Sequence, residues 1–217
     1  GEDLEWSLGY ESNNRDIDLS GKTIAFANQL GNYDEFRADF EALGATSISL
    51  APGNIYSVSD LDSIDLYIID DYWHISNTTS QNVVKEWVEN GGKLILCTDN
   101  NSQNTYFDTI ISGTGLLYDT YNTPNGLTSN IDPHPITTGI SEYYIVGSGN
   151  HLYDDSSGND NYVELIRDYS NNYIYAALMF QGEGNIFATG DEHTFLDGTY
   201  NSYDGHAELA MNLVPYL

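Results

Sequence analysis

Any chemistry in this chain of 217 residues has to be built from carboxylates, amides and aromatic rings, because cations are scarce: six Lys+Arg stand against 33 Asp+Glu. Such groups crowd together directly after short apolar runs. Asn28 and Gln29 follow the run 23–27, and Asp70, Asp71, Tyr72, Trp73 and His74 follow 66–69. Thr98, Asp99 and Asn100 follow 93–97, and Asp191, Glu192 and His193 follow 185–189. If these runs are strands of one open α/β sheet, the clusters face a single crevice, since ligands bind beyond the carboxyl ends of such strands. A crevice of this composition suits sugar hydroxyls, with Tyr72 or Trp73 as a stacking platform, or a hard cation such as Ca²⁺. It does not suit phosphate or carboxylate ligands, which want Arg, Lys or a glycine-rich nest. His193, flanked by Glu192 and Thr194, is the candidate general base, with Glu192 beside it as the second catalytic candidate. The competing account is that these residues only cap strands and turns, as Asp and Asn commonly do.

Outside that set the signals are weaker. The acidic stretch 154–160, with Asp154, Asp155 and Asp160, and the stretch 197–204 resemble Ca²⁺-binding loops, although neither has the glycine and final Glu of an EF-hand. Solvated turns account for them equally well. His134 lies between Pro133 and Pro135 and fixes a turn, while His151 and His206 read as surface or capping groups. No H-E-x-x-H or G-x-S-x-G spacing occurs, which leaves a zinc hydrolase or a serine hydrolase without a motif.

The elements that must position these residues are legible as alternation. Apolar runs over 23–27, 46–50, 66–69 and 93–97 read as buried strands. Between them Asn32 and Glu35 suggest a capped helix carrying Phe36, Phe40 and Leu43 and ended by Gly44. A second helix, capped near Thr79 or Ser80, carries Val83, Val84, Trp87 and Val88 and stops at Gly91-Gly92. Strands alternating with helices at this spacing imply right-handed βαβ units and a doubly wound, mostly parallel sheet with helices on both faces. Later runs over 143–146, 163–166, 173–180 and 185–189 read as further strands, and a last helix over 206–213 as capped by Asp204. Residues 1–20 form an N-terminal arm around Trp6 and Leu8, and 21–217 a single α/β domain.

This order resembles the class I glutamine amidotransferase-like, flavodoxin-like superfamily, and within it the ThuA-like (trehalose-utilisation) proteins. The residues that carry the resemblance are His134-Pro135-Ile136-Thr137-Thr138-Gly139, the segment Leu152-Tyr153, and the glycine-led run Gly184-Asn185-Ile186-Phe187-Ala188-Thr189 followed by His193. The resemblance covers roughly residues 21–217 and implies a ligand crevice at the strand ends. Working amidotransferases carry a nucleophilic Cys on a G-x-C-x-G elbow after the fourth strand; here that stretch is Leu96-Cys97-Thr98-Asp99-Asn100, with no flanking glycine. An elbow needs small neighbours to relieve its strain, and Cys97 reads instead as a buried core thiol. Glutamine hydrolysis is therefore not expected.

A formal charge of −27 repels phosphate backbones and anionic lipid, which speaks against nucleic-acid or membrane-surface partners. No apolar run approaches the roughly 20 residues of a spanning helix, so membrane insertion is not expected. One cysteine excludes an internal disulfide. Few lysines and many Asn, Ser, Thr and Tyr fit an extracellular or cell-surface setting; the cytoplasm of a halophile is the alternative. The reading that follows is a non-catalytic binding or assembly domain of an acidic extracellular protein with a degenerate crevice, whose partner is a carbohydrate or a protein. The alternative is a ThuA-like carbohydrate-binding protein or carbohydrate-active enzyme using Asp70, Asp71, Glu192 and His193.

Overall fold

The computed structural model describes residues 17–27, 32–50, 55–70, 75–98, 104–119, 125–146 and 150–216. In chain order the elements are β1 (Thr23–Phe26), α1 (Asp34–Ala42), β2 (Thr46–Ser49), β3 (Leu66–Ile69), α2 (Thr78–Glu89), β4 (Lys93–Cys97) and α3 (Asn104–Ile111). Then come β5 (Leu116–Asp119), β6 (Gly126–Thr128), β7 (Tyr143–Ile145), β8 (His151–Asp154), β9 (Tyr162–Arg167), β10 (Ile174–Gln181), β11 (Gly184–Thr189) and α4 (His206–Leu213). The expected arm residues Trp6 and Leu8 lie outside the described residues. Leu19 is buried, and its amide donates to the Leu43 carbonyl at 2.7 Å.

Among the described residues nine strands form one sheet, in the order β2-β1-β3-β4-β11-β10-β8-β5 with β9 also paired to β10. From β2 to β11 every pairing is parallel. Beyond β11 the sheet continues antiparallel through β10, β9, β8 and β5. The parallel strands at its centre are apolar throughout because both faces are covered. Ile24, Phe26, Leu66, Ile68, Ile95 and Phe187 face one core with Phe36 and Phe40 of α1 and Leu209 and Leu213 of α4. Their neighbours Ala25, Tyr67, Ile69, Leu94, Leu96 and Ile186 face the other, with Val84, Trp87 and Val88 of α2 and Phe107 and Ile110 of α3. Helices on each face make the sheet doubly wound.

Helix ends depart from the sequence expectations. The N-cap of α1 is Tyr33, not Asn32, and its side chain makes no capping bond. A carboxylate from far along the chain takes that role: Asp197 Oδ1 accepts from the Glu35 amide at 2.8 Å, which also complements the positive end of the helix dipole. Asn77, rather than Thr79 or Ser80, caps α2 by accepting from the Ser80 amide at 2.9 Å. Gly205, left-handed at φ 85°, starts α4 in place of Asp204.

Helix α3 and strands β5, β6 and β8 have no counterpart in the sequence reading. Asp108 of α3 ties that helix to β5 by accepting from the Tyr118 amide at 2.8 Å, and burial pushes its carboxyl pKa up to about 6. The folded chain thus holds this proton more tightly than the unfolded chain does. The resulting stability is gained as pH falls from about 6 toward 3.8, and the ionised form is disfavoured above that window. Asp108→Asn keeps the acceptor and removes the charge. It should raise stability at pH 8 by about 1 kcal/mol, after allowance for solvent screening of a partly exposed group. Urea unfolding at pH 8 and pH 4 reads this: the gain should vanish at pH 4, and a less stable variant at pH 8 would contradict it.

Candidate functional site

Four parallel strands, β1, β3, β4 and β11, deliver their carboxyl ends to one edge of the sheet. Of the residues expected there, Asp70, Thr98, Asp191, Glu192 and His193 are described; Asn28, Gln29, Asp71, Tyr72, Trp73, His74, Asp99 and Asn100 lie outside the described residues.

Asp70 ends β3 and is 2% exposed. The Tyr33 hydroxyl donates to its Oδ2, so the first residue before α1 reaches across to the end of β3. Burial and the adjacent Asp70 charge raise the Tyr33 pKa well above that of an ordinary phenol, which keeps the hydroxyl protonated as a donor. Tyr33 is absent from the sequence candidates, because nothing local in the sequence pairs it with a strand 37 residues away.

Asp191 caps the short 3-10 turn Glu192–Thr194 and is fully buried. Its Oδ1 accepts from the His193 amide at 2.7 Å and lies 2.5 Å from His193 Nδ1. A carboxylate acceptor there holds a proton on Nδ1 and fixes the ring's orientation. The His193 side chain keeps 33% of its surface. Thr199 Oγ1 donates to the His193 carbonyl at 2.5 Å, fixing the turn. This Asp–His pair has the geometry of an oriented base. Asp191, placed among the ligand residues by the sequence, is hydrogen-bonded to both the backbone and the ring of His193.

Thr98 Oγ1 donates to the Gly190 carbonyl at 2.8 Å, joining the ends of β4 and β11. Gly190 itself is required sterically, because a Cβ there would stand 1.9 Å from the Asn150 carbonyl oxygen. Behind the turn lies a set of buried hydroxyls to which the sequence reading gives no role. Thr194 Oγ1 is 2.9 Å from the Tyr143 hydroxyl and 3.3 Å from Thr189 Oγ1. The Tyr118 hydroxyl bridges the carbonyls of Leu96 and Thr189 at 3.2 Å each.

Cys97 is 1% exposed, and burial, reinforced by the negative charges of Asp70, Glu192 and Asp191, holds its thiol well above the ordinary cysteine pKa. That is the opposite of an activated thiolate, which needs cations or a helix N-terminus beside it.

The remaining sequence candidates resolve individually. His134 fixes its turn as expected, Nδ1 accepting from the Ile136 amide at 3.1 Å. His151 and His206 are not surface groups: both are fully buried. His151 packs on Tyr173 with ring centroids 4.0 Å apart and reaches Asp119 at 3.2 Å; His206 donates from Nε2 to the Tyr144 carbonyl at 2.8 Å. Asp154 and Asp155 accept from the Ser156 and Ser157 amides at 2.6 and 2.7 Å in an exposed turn that also carries Asp160. Among the described residues no three His, Cys, Asp or Glu side chains are grouped to hold a metal ion, and no helix is long and apolar enough to cross a membrane.

No protein-family model and no curated sequence matches the chain. Solved structures do match over nearly its whole length. The mmIFT52 N-terminal domain superposes with a TM-score of 0.68 at 12% identity, covering 89% of this chain and 95% of that one. A protein described as ThuA-like from Bacteroides uniformis gives 0.56 at 14% identity, covering 94% and 92%. One described as a GMP synthase component from Thermoplasma acidophilum gives 0.58 at 11%, covering 90% and 93%. The fold is thus the class I glutamine amidotransferase-like, flavodoxin-like α/β fold, shared with a ThuA-like protein as the sequence resemblance implied. Identities this low establish the fold alone.

Proposed function

We propose that the chain is a non-catalytic binding or assembly domain on an amidotransferase-like scaffold, belonging to an acidic, extracellular protein whose partner is a carbohydrate or another protein. The observation that carries this reading is the state of Cys97. The one thiol of the chain is buried at the end of β4, in the negative field of three carboxylates and without elbow glycines. A nucleophile would need the reverse on each count. The mmIFT52 structure is itself one domain of a longer protein, which supports use of this fold as a module. A charge of −27 suits a solvated extracellular surface.

The test is direct. Native protein exposed to excess iodoacetamide at pH 8 should keep Cys97 unmodified for hours by mass spectrometry, and label fully once unfolded in urea. Glutamine should yield no ammonia. Labelling within minutes, or measurable glutamine hydrolysis, would refute the non-catalytic reading.

The buried Asp191 beside His193 favours a second reading: a ThuA-like carbohydrate-binding protein or carbohydrate-active enzyme, with His193 Nε2 as base at the strand ends. His193→Ala separates the two. It should abolish turnover of a carbohydrate substrate on this second reading, and leave every binding activity intact on the first.

A further inference from the structure

The two walls that meet at the start of α4 border a cleft of about 470 Å³ whose lining includes neither Cys97 nor any of the described strand-end residues. One wall is the turn around Ser141 and Glu142; the other is the segment from Tyr200 to Glu208. The walls are fastened to each other rather than merely adjacent. Tyr144 N–H donates to the Asp204 carbonyl at 3.1 Å, and His206 Nε2 donates to the Tyr144 carbonyl at 2.8 Å. A Cβ on Gly205 would stand 2.9 Å from the Glu142 carbonyl, which shows how closely the backbones approach. Across this junction the rings of Tyr144 and Tyr203 stack with centroids 4.5 Å apart and planes 7° from parallel. Tyr203 lines the cleft and is 37% exposed, so an aromatic platform is held in place before any ligand arrives.

We infer that this cleft is a saccharide-binding site, with the Tyr203 ring stacking on the C–H face of a pyranose. Such a platform costs little ordering on binding, because the stack with Tyr144 has already fixed the ring. The rest of the lining matches a neutral polyhydroxyl ligand. Asn201 and Ser141 can donate and accept, and the carboxylates of Glu142, Asp204 and Glu208 accept from hydroxyls. Among the described residues no Lys, Arg or His lines the cleft, so its field opposes anionic ligands. The volume falls within the range of small-molecule sites and holds one or two sugar rings. The inference deepens the binding reading above and rests on it, while naming a site distinct from His193.

Saturation-transfer NMR on the whole chain with glucose, galactose, mannose, N-acetylglucosamine and lactose, backed by calorimetry on any binder, tests this. At least one sugar should bind, Tyr203→Ala should weaken it tenfold or more, and Tyr203→Phe should restore it, since only the ring is required. Tyr56→Ala, which removes an exposed ring outside the cleft lining, should bind as the unaltered protein does. The inference is overturned if no sugar binds, if a basic peptide such as tetralysine binds there in place of sugars, or if His193→Ala loses the sugar while Tyr203→Ala keeps it. The binding-domain reading fails separately, by Cys97 labelling or glutamine hydrolysis, which no outcome with these sugars mimics.

Discussion

Gly184→Ala should destabilise the chain by about 3–5 kcal/mol or prevent folding outright, a single methyl group doing the damage of a lost core residue. Gly184 opens β11, and its φ lies outside the left-handed range, so an alanine there carries no backbone penalty of its own. The obstacle is space. A Cβ would sit 2.0 Å from the Val88 carbonyl oxygen and 2.4 Å from that of Gly92. Both oxygens belong to the backbone where α2 ends and the chain turns into β4, so neither can swing aside as a side chain could. Relief requires β11 to slide against β4 and breaks the Asn185–Lys93 and Ile186–Leu94 register that sets the strand ends of the site. Most domains have only about 5–15 kcal/mol of net stability to lose. Gly113→Ala is the control: Gly113 has φ 95° and open space around it, so its cost is backbone strain alone, about 1–2 kcal/mol. Urea unfolding of both variants decides the matter. If Gly184→Ala costs no more than Gly113→Ala, the close approach of β11 to the end of α2 is wrong.

Gly184 also shows how far the sequence can be read. Its place at the head of the last parallel strand is visible there; the reason for it, two carbonyls from a helix end some ninety residues earlier, is not. The same division runs through the molecule. Strands β1, β3 and β4 are legible because burial on both faces leaves a continuous apolar run, a signal contained in five residues. The Asn77 cap lies two or three positions before the expected one, and the α1 cap is illegible because its acceptor, Asp197, lies 162 residues from the amide it holds. Helix α3 hides in Thr105, Thr109, Ile110 and Ile111, residues whose branching favours strands, although Phe107, Ile110 and Ile111 keep helical spacing. The antiparallel direction of β8, β9 and β10 is a matter of connection geometry that short apolar runs do not encode. In the site, Asp191 and His193 stand out because they follow a strand. Tyr33, Tyr143 and Thr194 do not, because each acts through a partner distant in sequence.

His206 gives the second large effect, where the sequence suggests a surface or capping group. It is fully buried against Tyr143, whose ring lies 4.7 Å away, and Tyr203, at 5.8 Å. Nε2 donates to the Tyr144 carbonyl, and Nδ1 is buried without a partner. Burial, helped by the charge of His193 and opposed by the Tyr144 carbonyl and Asp204, lowers its pKa from 6.5 to about 4. The unfolded chain therefore takes up a proton that the fold refuses. Stability from this residue is fully present above pH 6.5 and is lost as pH falls toward 4, amounting to about 3 kcal/mol. The raw pH profile of the protein does not isolate this, because 33 acidic residues also shed mutual repulsion over the same range and Asp108 works in the opposite direction. The difference from His206→Gln does, since the carboxylates titrate alike in both chains and glutamine keeps a donor for the Tyr144 carbonyl. The variant should be less stable at pH 7.5 through lost packing, and that deficit should shrink by about 3 kcal/mol on going to pH 4. Denaturant unfolding at half-unit pH steps gives the curve. A deficit independent of pH would mean that His206 accepts its proton inside the fold, and that the junction beneath the Tyr203 platform is wetter than the structure makes it.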